Sequence, residues 1–340
     1  MISRRDFSLA FAAVILSLFI LSPSCKKPRQ ILYPFGTFPD TCINLSGINS
    51  QFDDYNMDIE VFYDRFNTIF SSNRASQGGQ FDLVTGIIEF SFDKYTGFFS
   101  INPEMINDPY LSALVSAANT ASDDLGPYRM LSREDSHEYL FITTEGAGGD
   151  MDLKYMKYLP DISPSIPDFG SLLPVNVLNS SADDGYISLD ISQERVFFHS
   201  DREGRFNIFT TQKPSGMSHS EWFAEDPAVV TRIDSINSEF DDKCPFVARN
   251  LMVFTSNRPG GLGGYDLYYS IYKDGKWGSP VNFGPTVNSE ADEYRPVVGY
   301  HPDFANYFLV FSSDRPGGIG GFDIWFTGVD IPGQPAIIMK

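Results

Sequence analysis

Val253-Phe254-Thr255-Ser256-Asn257-Arg258-Pro259-Gly260-Gly261-Leu262-Gly263-Gly264-Tyr265-Asp266-Leu267-Tyr268 reads as an apolar run, a polar step, a glycine-rich turn and a second apolar run. Residues 310–325 match it position for position, through Ser313-Asp314-Arg315 to Phe322-Asp323-Ile324-Trp325. Weaker copies are Phe70-Ser71-Ser72-Asn73-Arg74 leading to Phe81-Asp82-Leu83, and Phe198-His199-Ser200-Asp201-Arg202 leading to Phe206-Asn207-Ile208. A degenerate copy, Ile142-Thr143-Thr144-Glu145-Gly146, leads to Met151-Asp152-Leu153, with Gly146 in the arginine position. Ahead of every copy stands Asn-Ser/Thr-x-x-Asp-Asp/Glu, starting at Asn49, Asn119, Asn179, Asn237 and Asn288. Self-similarity at a fixed period is the mark of a repeat architecture.

The markers Asn73, Glu145, Asp201, Asn257 and Asp314 stand 72, 56, 56 and 57 residues apart. The unit is therefore about 56 residues, with roughly 16 extra between the first two copies. The repeats fall near residues 49–84, 119–155, 179–210, 237–270 and 288–327. Each unit reads as short strands of alternating polarity, as in Arg295-Pro296-Val297-Val298, then residues 307–312, then residues 322–326, the period of a strand with one buried face. Trp277-Gly278-Ser279-Pro280-Val281-Asn282-Phe283-Gly284 suggests a fourth strand. Four strands per unit, repeated radially, describe a propeller blade. Composition agrees: Phe 30, Tyr 17, Gly 28 and Pro 22 suit short strands and turns better than long helices. The expected fold is all-β, a β-propeller of five four-stranded blades. Ile43-Asn44-Leu45 resembles Val281-Asn282-Phe283, so an N-terminal strand is expected to complete the last blade and pair its open edge. The single propeller domain then spans 43–340, and whether the insertion forms an irregular sixth blade stays open.

These motifs resemble the PD40, or WD40-like, propeller repeat of TolB-like propellers, over roughly residues 43–326. The resemblance implies a fold and a habit of protein contact, not a reaction.

Arg4 and Arg5 precede an unbroken apolar run at residues 7–21. That run is shorter than the roughly 20 residues of a spanning helix and reads as an export signal over 1–24. Ser24-Cys25 resembles a bacterial lipobox, which implies lipidation of Cys25, although Ser22 stands where that motif has Leu. Residues 25–42 then form the anchor and tether. Ser3-Arg4-Arg5-Asp6-Phe7 resembles the start of a twin-arginine signal, so the export route stays open. Lys26 and Lys27 do not resemble the acidic signals that direct lipoproteins to the cell surface. The expected place is the cell outer membrane, lipid-anchored, on the periplasmic face.

A net charge of -19 argues against nucleic acid, which needs a clustered basic surface. The pairs Asp53-Asp54, Asp123-Asp124, Asp183-Asp184, Asp241-Asp242 and Asp292-Glu293 recur in every unit. A carboxylate that every blade carries is most simply read as something every blade needs, whereas catalysis needs one asymmetric constellation. The structural set expected is Asp54, Asp124, Asp184, Asp242 and Glu293 paired with Arg74, Arg202, Arg258 and Arg315, together with Asp82, Asp152, Asp266 and Asp323 at the third strand. Calcium in the acidic loops is the alternative. The glycines at 260, 261, 263 and 264 precede a strand rather than a helix, which argues against a phosphate loop and for positive φ in a turn. His137, His199, His219 and His301 show no metal-ligand spacing, and no Gly-x-Ser-x-Gly occurs. No metal, cofactor or catalytic residue is therefore assigned. Trp222, Trp277 and Trp325 are read as packing residues at comparable places in successive units. Cys42 and Cys244 are an allowed disulfide pair, with two unpaired thiols as the alternative.

Asymmetry is expected to hold the function. The insertion Asn107-Asp108-Pro109 with Tyr110, Leu111, Leu114 and Val115 predicts a short capped helix, and residues 155–174 carry Pro160, Pro164, Pro167 and Pro174 in an extended loop. The leading expectation is a non-enzymatic scaffold that binds an envelope or outer-membrane protein, of open oligomeric state. The alternative is a carbohydrate-binding or glycoside-hydrolase-like propeller, to be told by unrepeated acidic residues at inner strand starts.

Overall fold

The structure is a computed structural model and describes residues 35–59, 65–146, 148–160 and 169–334. The export signal, Cys25, the first part of the tether, Pro164 and Pro167 lie outside the described residues. The chain opens with β1 (Ile43–Asn44). Blade one holds β2 (Asp54–Ile59), β3 (Arg65–Ser72), β4 (Asp82–Phe92) and β5 (Phe99–Met105), followed by helix α1 (Pro109–Ala118). Blade two holds β6 (Asp124–Leu131), β7 (Glu138–Glu145), β8 (Met151–Tyr158) and β9 (Leu173–Pro174). Blade three holds β10 (Asp184–Leu189), β11 (Arg195–Ser200) and β12 (Asn207–Gln212), then helix α2 (His219–Ala224) and β13 (Thr231–Arg232). Blade four holds β14 (Asp242–Ala248), β15 (Leu251–Ser256) and β16 (Asp266–Lys273), with β17 (Lys276–Trp277) and β18 (Val281–Asn282) both paired to β16. Blade five holds β19 (Glu293–Gly299), β20 (Tyr307–Ser313) and β21 (Asp323–Val329), and β1 is its fourth strand.

The first strand of each blade touches the first strands of both neighbouring blades, so β2, β6, β10, β14 and β19 form a closed ring. The fold is thus the expected all-β propeller of five four-stranded blades. The last edge is closed by Ile43 opposite Phe326 and Asn44 opposite Trp325. Leu45 and Ile48, both fully buried, anchor that crossing segment, which covers the edge that β21 would otherwise leave open.

The hydrophobic clusters sit between adjacent blades. Phe66, Phe70, Ile88 and Phe90 of blade one face Phe308, Val310, Ile324 and Phe326 of blade five. Phe38 of the N-terminal segment lies flat on Phe304, with ring centres 3.7 Å apart and planes at 3°. Similar clusters join blades two and three, three and four, and four and five. Alternating strands with two buried faces make this arrangement possible, because each sheet packs against a neighbour on either side.

The repeated asparagine has a backbone role. Asn237 Oδ1 accepts from Ile208 N–H at 2.7 Å and its Nδ2 donates to Ile208 C=O at 2.8 Å. Asn119, Asn179, Asn288 and Asn49 grip Leu83, Leu153, Leu267 and Ile324 in the same way. The side-chain amide imitates a strand at the third strand's edge as the chain passes to the next blade. Asn237→Ala orphans the N–H of Ile208, which is fully buried, while the Ile208 C=O keeps the N–H of Ile233 at 3.2 Å. It is expected to cost about 1–3 kcal/mol in urea unfolding; a change within 0.3 kcal/mol by that fit counts against the bracket.

Candidate functional site

The two acids of each pair do different jobs. The second is buried and held by local donors. Asp242 accepts from Ser238 N–H at 2.6 Å, from Ser238 Oγ at 2.9 Å and from Arg258 Nη2 at 2.5 Å. Arg202 meets Asp184, Arg315 meets Glu293 and Arg74 meets Asp54 in the same manner. In blade two Gly146 replaces the arginine, and Asp124 is left with Thr120 donors; burial holds its carboxyl above the usual range. The first acid of each pair instead clasps the preceding blade. Asp53, Asp123, Asp183, Asp241 and Asp292 accept the N–H of Phe322, Phe81, Met151, Phe206 and Tyr265 respectively.

The acids that open the third strands cap the glycine-rich turns. Asp266 accepts from Leu262 N–H, Gly263 N–H and Asn282 Nδ2, and Asp323 from Ile319 N–H, Gly320 N–H and Asn44 Nδ2. Only the first glycine of each turn has positive φ, Gly260 at 93° and Gly317 at 95°. The others allow close approach: a Cβ on Gly263 would stand 2.1 Å from Ala291 C=O. Asp82 has a weak contact from Gln80 Nε2 at 3.4 Å. Asp152 lacks these donors, because its turn is degenerate and Pro174 is paired where blades four and five have asparagine. Its Oδ1 is buried without a partner. Burial first, then the charges of Asp150 and Asp184, push its carboxyl from 3.8 up to about 6. A raised acid favours folding in its neutral form, so this contribution is present at low pH and lost as pH rises towards about 6. Asp152→Asn is expected to raise the melting temperature at pH 7.5 and leave it unchanged near pH 4; equal shifts at both pH values count against the assignment.

The five copies differ at the two positions after the second acid. In every first strand the second of these positions is left-handed: Asn56, Gly126, Tyr186, Cys244 and Arg295, with φ of 57°, 56°, 56°, 51° and 47°. Register slips at the same place in all five strands. A bulge of this kind re-aims side chains, and outside glycine it costs about 1–2 kcal/mol per residue. Across the ring, Asn56 Nδ2 donates to Tyr186 Oη at 2.6 Å, and a Cβ on Gly126 would press on the Tyr186 ring.

One step earlier along the strands, Tyr55, Leu125, Lys243 and Tyr294 open on a cavity of about 260 Å³, whose lining also includes Asp183, Tyr186, His199 and Phe206. That is near the small end of ligand pockets, about 300–1,000 Å³. Tyr294 lies 5.8 Å from Tyr55 and 4.7 Å from Tyr265 between ring centres. Lys243 Nζ sits 4.0 Å over the Phe206 ring. Burial pushes the Tyr55, Tyr186 and Tyr294 hydroxyls upward, so all three are protonated at neutral pH. Burial, then Lys243 and Arg295, hold His199 well below the usual histidine range. Its Nδ1 accepts from Cys244 N–H at 3.1 Å, which leaves the ring proton on Nε2 as a donor. Tyr265 alone of the residues clasped by the first acids has a hydroxyl, and it donates to Asp241 Oδ2 at 2.9 Å.

This cavity, the mouth of the space ringed by the first strands, lies away from the insertions where the sequence asymmetry pointed. Helix α1 is capped by Asp108 and buries Leu111, Leu114, Val115 and Ala118 against blades one and two. The tryptophans are all buried but not equivalent, since Trp222 lies in α2, Trp277 in β17 and Trp325 in β21. Cys42 and Cys244 are both free: Cys42 Sγ lies 3.3 Å from Thr286 C=O, whereas Cys244 lines the mouth. Among the described residues no three His, Cys, Asp or Glu side chains group in a way that could hold a metal.

No family model and no curated relative matches the chain, so the PD40 resemblance stays at the level of a five-bladed propeller. Among solved structures, a thermostable family-43 glycoside hydrolase is 12% identical, with 84% of this chain and 91% of that one covered at a TM-score of 0.54. The endo-arabinase from Bacteroides thetaiotaomicron VPI-5482 is 13% identical, with 88% and 98% covered at 0.52. TolB from Acinetobacter baumannii is 12% identical, with 78% and 52% covered, and its TM-score of 0.39 carries no argument. The expectation of a non-enzymatic, protein-binding scaffold is therefore corrected. The two propellers that share this fold over nearly their whole length with TM-scores of 0.54 and 0.52 are named a glycoside hydrolase and an endo-arabinase, neither of them a binding scaffold, and at such identity the likeness is one of fold.

Proposed function

We propose that the mouth of the central channel is the saccharide site of a glycoside-hydrolase-like propeller. The observation that carries the reading is the lining of one cavity, which brings together the aromatic residues Tyr55, Tyr294 and Phe206, the acid Asp183, and Lys243 and His199. Aromatic faces bury the apolar side of a sugar ring, while a few placed polar groups fix its hydroxyls. Glycoside hydrolysis uses two carboxyl groups, one donating a proton to the leaving oxygen and one acting as base or nucleophile. Asp183 lines the cavity, and Asp241 stands beside it, bound to the Phe206 N–H and the Tyr265 hydroxyl. Both are clasp acids of a kind that recurs in every blade, so their place at the one cavity, not their residue type, singles them out as the pair assigned to the chemistry.

The test is calorimetric binding of short pentose and hexose oligosaccharides to the wild-type chain and to Tyr294→Ala and Phe206→Ala. Loss of a stacking ring is expected to weaken affinity by about tenfold, or 1.4 kcal/mol. Tyr300→Ala, on an exposed ring away from the mouth, is expected to leave it unchanged. No saccharide bound by the wild-type chain, or equal effects of all three variants, would sink the reading. Residues 1–25 support a further proposal, export with lipidation at Cys25 and attachment to the outer membrane. Labelling with radioactive palmitate that persists in Cys25→Ala would exclude it.

A further inference from the structure

We propose that the guanidinium of Arg295, next to Tyr294 of the cavity lining, binds a small monovalent anion, a halide or a carboxylate group, with Lys243 as a second cation. Arg295 follows Tyr294 on β19 and is 1% exposed, the largest fully buried side chain among the described residues. Its Nη2 donates to Pro127 C=O at 3.2 Å. Its Nε and Nη1 are buried and have no hydrogen-bond partner. The flat faces around it are rings, Tyr186 at 5.6 Å and Phe246 at 6.0 Å. No carboxylate forms a salt bridge with it among the described residues; Asp58, which acts with Arg295 on the Tyr128 hydroxyl, is committed to Arg129 Nε at 2.8 Å.

A buried guanidinium without a counter-charge costs several kcal/mol, and Arg295 holds its place at a left-handed φ of 47° that adds to the cost. Lys243 adds a second positive charge, and both cations act on His199, which burial keeps neutral. Two cations, two unused donors and ring walls suit a weakly hydrated monovalent anion better than phosphate, whose higher charge would need more donors than remain. In a chain of net charge -19, such a site must be enclosed, because the outer surface repels anions. The inference stands whether or not the mouth binds a sugar.

The test uses the full chain at fixed ionic strength, with its melting temperature followed against chloride, acetate and glucuronate, and gluconate as the reference salt. Chloride and acetate are expected to give a saturable rise, and chlorine-35 NMR lines of chloride are expected to broaden with the protein and narrow when acetate is added. Glucuronate binding at least tenfold tighter than acetate identifies the anion as the carboxylate of a sugar; equal affinity identifies it as a free ion. Lys243→Gln, at a partly exposed site, is expected to weaken chloride severalfold, and Arg295→Gln to abolish its effect. Where Arg295→Gln does not fold, the wild-type titrations and Lys243→Gln decide alone. Melting temperature and linewidth that do not depend on which anion is present would overturn the proposal.

Discussion

Asp183→Asn and Asp241→Asn are each expected to lower the rate of glycoside hydrolysis by about 10²–10⁴-fold, the usual contribution of a positioned proton donor or acceptor. Asparagine keeps the size and one carbonyl oxygen, so the acceptor role of Asp183 Oδ1 toward Met151 N–H, at 2.9 Å, survives. The Asp241 Oδ1 contact to Phe206 N–H, at 3.2 Å, survives in the same way. The blade clasp therefore stays closed and the loss falls on kcat, with KM changed by less than about threefold. Asp123→Asn, the same change in a clasp outside the mouth lining, is the control and is expected to be silent. Should all three variants lose activity alike, the effect is on folding and the assignment of the pair fails. Ordinary activity in both Asp183→Asn and Asp241→Asn would remove the pair from the chemistry altogether.

Arg258→Ala is expected to destabilise the chain by about 3–5 kcal/mol, the cost of stranding one partner of a buried ion pair. Asp242 is fully buried, and Arg258 reaches it while donating Nε to Ser256 Oγ at 2.9 Å and Nη2 to Ile236 C=O at 2.7 Å. The guanidinium carbon also lies 5.0 Å from the Tyr268 ring centre, so packing is lost together with charge. Removal leaves Asp242 with only the Ser238 donors, close to the state of Asp124 in blade two, whose carboxyl burial holds above the usual range. An acid raised in this way destabilises the fold most when ionised, so the deficit is expected to shrink as pH falls. Arg258→Ala with Asp242→Asn is expected to cost less than the sum of the single changes. A deficit below about 1 kcal/mol, the value of an exposed pair, would show that the pair is solvated.

The repeat made the blades legible because its residues serve every blade alike. Asn237, Asp242, Arg258 and Asp266 each satisfy backbone or charge at the same point of the unit, and their spacing therefore survives in the sequence. The mouth was not legible for the opposite reason. Tyr186, Cys244 and Arg295 fill one bulge position in successive blades, and positive φ in such residues has no local signature, unlike the glycine at 126. The signal was nonetheless present: two positions after an invariant acid, the five copies carry Asn, Gly, Tyr, Cys and Arg. Variation at one fixed place inside an otherwise regular repeat marks where the ring of blades stops being symmetric. The length and proline content of the insertion and of residues 155–174 drew attention outward, and α1 turned out to bury its apolar face in the blade contact.

The most direct test of the saccharide site is a crystal structure of the chain with a short oligosaccharide at saturating concentration. The account predicts a sugar ring in the channel mouth, stacked on Tyr294 or Phe206, with Asp183 within hydrogen-bond reach of the glycosidic oxygen or the anomeric carbon's neighbours. A saccharide seated on the outer strands, or none in the mouth under those conditions, would contradict it.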